Sequence, residues 1–271
     1  MDRTLLDPPV PGRKPAVPAR KTEAAVRPAA PGGVSKAEIG EAIRTAAGAA
    51  GHSFSTLLAQ ATQESGLNPK ARNPRSTATG AFQFIERTWL DMIRRHGAAH
   101  GLGDLAAGIS VQNGAPVVKD AALRRKILAL REDPSLSASM AAKYLEEGRA
   151  SLSSRLGREV SETEGRIAYV LGPTGAAKLI QAAVRTPDRV AADILPAAAR
   201  ANRPLFHDKG RPLGAAEALA RLKDRMEADR TRLAELTPAG GDEPTRLAQA
   251  DTGAPSANPL LLAQESATAA G

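Results

Sequence analysis

Glu64 is the residue whose type and setting most directly suggest chemistry. It lies at the end of an apolar helix predicted from Leu57, Leu58 and Ala61, just before Gly66, a residue type that often ends helices. The negative end of the helix dipole and partial burial are expected to raise the pKa of its carboxyl group. A protonated carboxyl group can donate a proton to the leaving oxygen of a glycosidic bond. On composition alone, a solvated Glu near a helix end is the alternative interpretation.

Helices are predicted along most of residues 34–236, and they must position this carboxyl group. Capping-box spacing is found at Ser35 with Glu38 and at Ser161 with Glu164, and Ser55 is the predicted cap of the Glu64 helix. No strand is predicted, so the fold class is mainly α. Further helices are predicted from Ala81 through Ile93, over 121–130, from Pro134 to Gly148, over 161–171, from Thr174 to Val184, over 187–195 and over 215–236, with a break at Gly172-Pro173.

Composition supports a helical core and excludes several kinds of chemistry. Hydrophobic residues make up 42% of the 271 residues, but aromatic residues only 3%. A core of Leu, Ile, Val and Ala favours helices, because aromatic and β-branched residues are the usual strand formers. The absence of cysteine excludes disulfides, thiolate metal sites, iron–sulfur clusters and a cysteine nucleophile.

Four regions are predicted along the chain. Residues 1–33 are rich in Pro, Ala and Arg and are expected to form a disordered arm, and residues 237–271 a second disordered tail. Residues 34–190 are predicted to form the main domain and residues 191–236 a helical extension. The amphipathic stretch 215–236 could pack on this domain or provide a docking surface for a protein partner.

Several ordered segments together resemble the lytic transglycosylases of the soluble (SLT) type and the related goose-type lysozymes. The resemblance covers roughly residues 35–183. Phe82 replaces the Met of the family's second motif, and Val170 replaces the Asn of its fourth motif. The segments that carry the resemblance are Gln63-Glu64-Ser65 followed by Asn68-Pro69, then Gly80-Ala81-Phe82-Gln83, the helix that ends in Tyr144-Leu145, and Ala168-Tyr169-Val170-Leu171-Gly172.

The resemblance implies a lysozyme-like domain that cleaves the β-1,4 bond between N-acetylmuramic acid and N-acetylglucosamine and forms a 1,6-anhydro ring. Glu64 would act as acid and then as base. Gln83 would contact the glycan or line the cleft, or else be a polar residue at a helix start. The Tyr169 hydroxyl would lie near Glu64, or belong to a core aromatic residue. The family's loop serine corresponds to Asn73 by spacing or to Ser76 after an insertion, and both stay open.

Three other functions are weighed against the transglycosylase. A hydrolytic muramidase would share the substrate but admit water, and the replacement at Val170 leaves this open. A third hypothesis is a non-catalytic wall-binding or assembly protein of a secretion or flagellar apparatus. The presence of Glu64 and Gln83 argues against it. A nucleic-acid binder would explain the basic charge but none of the motifs.

Charge and hydropathy limit which partners and which cellular compartment are expected. The net charge of +8 implies an anionic partner, and the carboxylates of peptidoglycan stem peptides fit this, whereas few aromatics are available to stack on bases. No cofactor or metal is expected, since His96 and His100 lack an acidic companion motif. No apolar run approaches the roughly 20 residues of a membrane span. We expect a periplasmic or wall-associated protein of a Gram-negative bacterium, although the first residues lack the apolar core of a secretory signal.

Overall fold

The computed structural model describes residues 34–74 and 76–235, and the predicted tails 1–33 and 237–271 lie outside them. The predicted mainly α class is confirmed. In chain order, the α-helices of the described residues are α1 (Lys36–Ala50), α2 (Phe54–Ser65), α3 (Glu86–His96), α4 (Gly103–Ala107), α5 (Ala121–Ala129), α6 (Pro134–Leu156), α7 (Glu162–Arg185), α8 (Ala191–Ile194), α9 (Pro196–Ala201), α10 (Arg203–Phe206) and α11 (Ala215–Glu235).

Two short hairpins correct the expectation that no strand would form. Strands β1 (Ser110–Gln112) and β2 (Ala115–Val117) pair antiparallel. The turn between them is Asn113-Gly114, with both residues at positive φ, which is the turn chemistry of a two-residue hairpin loop. Strands β3 (His207–Asp208) and β4 (Arg211–Pro212) form a second antiparallel pair. Strands of two or three residues are too short to leave an alternating pattern in the sequence.

Local capping signals predicted several helix boundaries correctly. The capping boxes of Ser35 with Glu38 and of Ser161 with Glu164 are both present, so these N-terminal predictions are confirmed. Asp133 caps α6, with Pro134 in the first turn. The predicted break in α7 is also found, since Gly172 has non-helical φ and ψ angles of 71° and 153°.

Two helix starts were predicted wrongly. The cap of α2 is Ser53 rather than Ser55, because the Ser53 Oγ accepts from the Thr56 backbone N–H. The helix expected from Ala81 begins at Glu86 instead. The preceding residues form a turn in which Gln83 has a φ of 48°, and this left-handed backbone is incompatible with a helix.

Two helix ends also differ from the predictions. Helix α6 continues through Gly148 to Leu156, and Gly148 is a buried residue within it that faces Ala168 of α7. The helix expected over residues 187–195 is reduced to α8. Its first half instead lies beside the start of α11, where the Ala215 N–H donates to the Arg189 carbonyl at 2.8 Å.

The core has two hydrophobic clusters joined at one aromatic residue. The first cluster contains residues of α1, α2, α3 and the first half of α6, and the second contains the rest of α6 with α7 and α11. Tyr144 packs against both clusters. Residues on both sides of position 190 contribute to the second cluster, and the division into a 34–190 domain and a 191–236 extension stays a prediction.

Helices α7 and α11 both pack within this core. The apolar face of α11 lies on α2 and α7, so it is used inside the fold. Within the described residues, α7 is the one helix long and apolar enough to cross a membrane by length and composition, a test that buried core helices also pass. We interpret α7 as a core helix, because it packs between α6 and α11 and carries the buried charges of Glu164 and Arg166.

Candidate functional site

Glu64 lies in the last turn of α2 with its side chain turned into the protein. The helix ends at Gly66, which adopts the left-handed conformation with a φ of 64°. Only 1% of the Glu64 surface is exposed. A buried carboxyl group requires hydrogen-bond partners, since desolvation of an unsatisfied polar group is costly. The partners of Glu64 therefore define the site.

Gln60 lies one helical turn before Glu64 and holds its carboxyl group. The Gln60 Nε2 donates to the Glu64 Oε1 at 2.7 Å, and Gln60 is fully buried. Residues four apart lie on the same face of a helix, so the spacing brings the two side chains within reach of each other. Sequence analysis missed Gln60, although a glutamine within the apolar stripe of Leu57, Leu58 and Ala61 was a visible signal.

Arg166 of α7 is the second polar residue that sequence analysis missed. Its guanidinium donates to the Gln60 Oε1 at 3.5 Å, to the Gln63 Oε1 at 3.2 Å and to the Met226 carbonyl of α11 at 2.6 Å. Burial lowers the pKa of Arg166 to about 10, while the negative charges of Asp229, Glu64 and Glu227 oppose the shift. Arg166 is therefore a cation at neutral pH, close enough to Glu64 to interact electrostatically.

Tyr169, one turn after Arg166, is buried between Glu64 and the aromatic core. Its hydroxyl donates to the Phe82 carbonyl at 3.4 Å. Its ring meets that of Tyr144 edge to face, with centroids 5.0 Å apart. Burial, then the charges of Glu64 and Tyr144, raise the pKa of Tyr169 well above its usual value. The hydroxyl therefore stays protonated, and its predicted role toward Glu64 or the sugar stays a prediction.

Ser65 and Gln83 join the end of α2 to the following loop. The Ser65 Oγ donates to the Ala81 carbonyl at 2.8 Å and accepts from the Asn68 N–H at 3.1 Å. Gln83 is buried, and its Nε2 donates to the Gly80 and Ala71 carbonyls at 2.9 and 3.2 Å. The amide nitrogen of Gln83 thus braces its own loop, and its predicted contact with substrate stays a prediction.

Arg131 fixes the same loop from the opposite side. Its Nη1 donates to the Thr77 carbonyl at 2.6 Å and to the Phe84 carbonyl at 3.0 Å. Burial lowers the pKa of Arg131 to about 10, so the group remains a cation. Gly80, at a φ of 87°, passes so close to Arg131 that an added Cβ would lie 2.2 Å from its carbonyl oxygen. This glycine is required by both the backbone angle and the space.

Asn73 and Ser76, the two candidates for the loop serine of the family, lie in one turn. The Asn73 N–H donates to the Ala78 carbonyl at 3.0 Å, and the Ser76 N–H donates to the Asn73 carbonyl at 3.4 Å. The Ser76 Oγ accepts from the Ala78 N–H at 3.1 Å. Asn73 is buried and Ser76 partly exposed. The structure brings the two together, and the choice between them stays a prediction.

A cleft of about 820 Å³ opens on the far side of the tyrosine pair. Tyr144 lines it, but Glu64 does not. Four exposed cations line the cleft, and they are Arg87, Arg95, Lys178 and Arg200. The single carboxylate among its lining residues, Asp91, is paired with Arg94 and Arg95 at 2.8 Å each. The cleft therefore presents net positive charge to a ligand.

The two histidines considered in the sequence, His96 and His100, lie on different elements. His96 ends α3, and its Nε2 lies 2.6 Å from a carboxylate oxygen of Glu147, whereas His100 ends the following 3₁₀ turn. Among residues 34–74 and 76–235, no group of three or more His, Asp or Glu side chains is arranged to hold a metal ion. The short contact instead links α3 to α6.

Comparison with protein-family models matches residues 41–105 to the transglycosylase SLT domain. The matched segment begins in α1, ends in α4, and contains Glu64, Asn73, Ser76 and Gln83. Arg166 and Tyr169 lie outside it. The match confirms the resemblance and the lysozyme-like fold class predicted from the motifs, and it supports a wall-cleaving function of this general kind.

Proposed function

We propose that this chain, which carries a transglycosylase SLT domain of the lysozyme-like superfamily, is a peptidoglycan lytic transglycosylase. It would cleave the β-1,4 bond between N-acetylmuramic acid and N-acetylglucosamine and leave a 1,6-anhydromuramic acid end. The observation that carries the proposal is Glu64, a buried carboxyl group at the end of α2, inside the matched segment and held by Gln60.

In this proposal Glu64 acts twice. Protonated Glu64 donates its proton to the glycosidic oxygen, and the bond from this oxygen to C1 of muramic acid breaks. The 6-hydroxyl oxygen of the same sugar then bonds to C1, and its proton passes to the Glu64 carboxylate. The enzyme regains its starting proton and no water is consumed, so the second carboxylate of ordinary glycosidases is not needed.

Asp91 is the acid nearest the cleft, and its environment argues against a catalytic role. Burial opposes ionisation, but hydrogen bonds from Arg94 and Arg95 outweigh it and hold the pKa of Asp91 below its usual value. An aspartate fixed as an anion by two arginines is neither a proton donor nor a mobile nucleophile. The environment of Asp91 therefore disfavours it as the acid.

The cationic cleft is the proposed binding groove for the glycan strand. Peptidoglycan carries carboxylates on its stem peptides, and Arg87, Lys178 and Arg200 provide complementary charge. Tyr144 lines the cleft, and its ring packs on that of the buried Tyr169, which interacts electrostatically with Glu64. Acting on this substrate, the protein would work in the periplasm or at the cell wall.

Two observations favour second candidates. Val170, buried beside Tyr169, replaces a polar family residue, which favours a hydrolytic muramidase whose product has a reducing end. The burial of Glu64 away from the cleft favours a wall-binding or assembly protein that does not cleave. Both are outcomes of one experiment.

That experiment is digestion of purified peptidoglycan by the wild type and by Glu64→Gln, with the products identified by mass spectrometry. Glu41→Gln is the matched control, because Glu41 is an exposed glutamate of α1 within the matched segment. We expect 1,6-anhydro muropeptides from the wild type and from Glu41→Gln, and none from Glu64→Gln. Reducing-end products would identify a muramidase instead, and no products from the wild type would identify a wall-binding or assembly protein. Products that do not depend on Glu64 would overturn the assigned acid.

A further inference from the structure

We propose that Arg166 and Gln60 form a positioning relay through which the C-terminal helix α11 orients the carboxyl group of Glu64. The inference rests on the proposed function, since it concerns the same acid. Its last member, α11, lies more than a hundred residues beyond the matched segment, so the relay adds an element from outside that segment to the site.

The chemistry of Gln60 shows how the relay sets direction. A primary amide has one acceptor oxygen and one donor nitrogen, whereas an arginine side chain can only donate. The Gln60 oxygen must therefore face Arg166, at 3.5 Å from its Nε, which turns the Gln60 nitrogen toward Glu64 at 2.7 Å. If Arg166 were removed, the amide could rotate and present its oxygen to the carboxyl group instead.

The far end of the relay is anchored on a helix backbone. The Arg166 Nη1 donates to the Met226 carbonyl at 2.6 Å, and its Nη2 donates to the Gln63 Oε1 at 3.2 Å. Only 1% of Arg166 is exposed, so water cannot replace these partners. Since a main-chain carbonyl in a packed helix has little freedom, the position of α11 determines where the guanidinium lies.

Arg166 also acts on Glu64 through its charge. The groups that face Arg166 are Glu64 from α2 and Asp229, Glu227 and Arg230 from α11. The groups that face Glu64 from α7 are Arg166 and the protonated hydroxyl of Tyr169. A nearby cation favours the carboxylate over the protonated acid. Removing it should therefore keep Glu64 protonated to higher pH.

The test compares kinetics and pH profiles of Arg166→Met, Gln60→Met and the double variant on soluble glycan strands. Arg221→Met is the matched control, because Arg221 also binds α11 to backbone carbonyls, those of Pro204 and His207, without touching Glu64 or Gln60. Circular dichroism and thermal melting establish that each variant is folded. Arg166→Leu, which also removes the guanidinium, replaces Arg166→Met if the latter does not fold.

We expect Arg166→Met and Gln60→Met each to lower kcat by roughly tenfold to a hundredfold and to keep KM within about twofold of the wild-type value. A misplaced catalytic group destabilises the transition state more than it weakens substrate binding. The double variant should be no worse than the more impaired single variant, since both interrupt one relay. The alkaline limb of the profile should move to higher pH in Arg166→Met only. Additive losses, or an unmoved limb with unchanged kcat, would overturn the relay.

A readout without turnover separates the relay from the proposed function. The side-chain amide signal of Gln60 in ¹⁵N-labelled protein should shift in Arg166→Met and in Glu64→Gln, and stay in place in Arg221→Met. An amide signal that shifts in neither variant would overturn the relay even if the enzyme is active. If the signal shifts in these two variants but the wild type cleaves no glycan, the relay is supported and the proposed transglycosylase activity is overturned.

Discussion

The rings of Tyr144 and Tyr169 meet edge to face, with an interplanar angle of 81°. Tyr144 lines the cationic cleft, and the charge of Glu64 contributes to the raised pKa of the buried Tyr169. The pair therefore forms the wall between the place where a polymer can bind and the proposed acid. Phe84 continues this wall, with its ring centroid 6.2 Å from that of Tyr144.

The hydroxyl of Tyr169 can be tested apart from its ring. Tyr169→Phe keeps the aromatic packing and removes a hydrogen bond of 3.4 Å to the Phe82 carbonyl. We expect the free energy of unfolding to fall by about 1 kcal/mol or less, as for a single neutral hydrogen bond. If the hydroxyl positions Glu64 or the sugar, kcat should fall by roughly tenfold or more. Urea unfolding and product release from glycan strands measure the two quantities.

Tyr144→Phe is the control for this variant. Its ring lines the cleft and contacts both Phe84 and Tyr169, and the substitution preserves these contacts. We expect kcat to fall less in Tyr144→Phe than in Tyr169→Phe, since the ring that lines the cleft is retained. A Tyr169→Phe enzyme with wild-type kcat would show that Tyr169 is a core aromatic residue only.

The charge of the cleft predicts a salt-sensitive interaction with peptidoglycan. Replacing both Lys178 and Arg200 by Ala removes two exposed cations from the lining. We expect binding to intact peptidoglycan in sedimentation assays to weaken roughly fivefold at low salt, and the difference to shrink as salt screens exposed charges. Arg155→Ala removes one exposed cation outside the cleft and should bind like the wild type. Equal binding by both variants would exclude the cleft as the groove.

Gly80 provides a test of the loop that follows Glu64. Gly80→Ala adds a Cβ where the Arg131 carbonyl oxygen lies 2.2 Å away, at a φ of 87°. We expect a loss of about 2 kcal/mol or more in the free energy of unfolding, because strain and overlap combine. Gly157→Ala is the control, since Gly157 has a φ of 65° and open space, and should cost about 1 kcal/mol. Equal losses of unfolding free energy in the two variants would mean that the loop relaxes to accommodate the added methyl group.

Sequence reasoning succeeded where the cause of a structure is local. The Ser35 and Ser161 capping boxes lie within four consecutive residues each, and both formed as predicted. The Gly172 break also follows from neighbouring residues, glycine before proline. The Asn113-Gly114 turn was an equally local signal, and the hairpin could have been predicted from it.

Sequence reasoning was limited where the cause is a distant contact. The Gln60–Arg166 bond joins residues 106 positions apart, so no spacing rule connects them. The helix expected from Ala81 was wrong because Arg131, 47 positions from Phe84, holds the loop carbonyls in a turn. Glu64 itself could be chosen from its motif, but its seclusion from the cleft depends on Tyr144 and Tyr169 from two other helices.

Glu164 predicts how stability depends on pH. Its carboxylate accepts from Arg158 at 2.9 and 3.0 Å and from Lys223 of α11 at 3.3 Å, and only 6% of its side chain is exposed. The hydrogen bonds from Arg158 lower its pKa from 4.5 to about 2, against the opposing effect of burial. Because the folded-state pKa is the lower one, this stabilisation is complete above about pH 4.5 and is lost as the pH falls toward 2.

We therefore expect Glu164→Gln to lower the free energy of unfolding by about 1–2 kcal/mol at pH 7, a range reduced because Arg158 and Lys223 are partly exposed. Between pH 4.5 and 2 the wild type should lose this advantage, so the two stability curves converge. Urea titrations at half-unit pH steps measure both curves, with Glu41→Gln as the exposed control whose curve should follow the wild type. Parallel curves for the wild type and Glu164→Gln throughout this range would show that the Arg158–Glu164–Lys223 contacts do not stabilise α7 against α11.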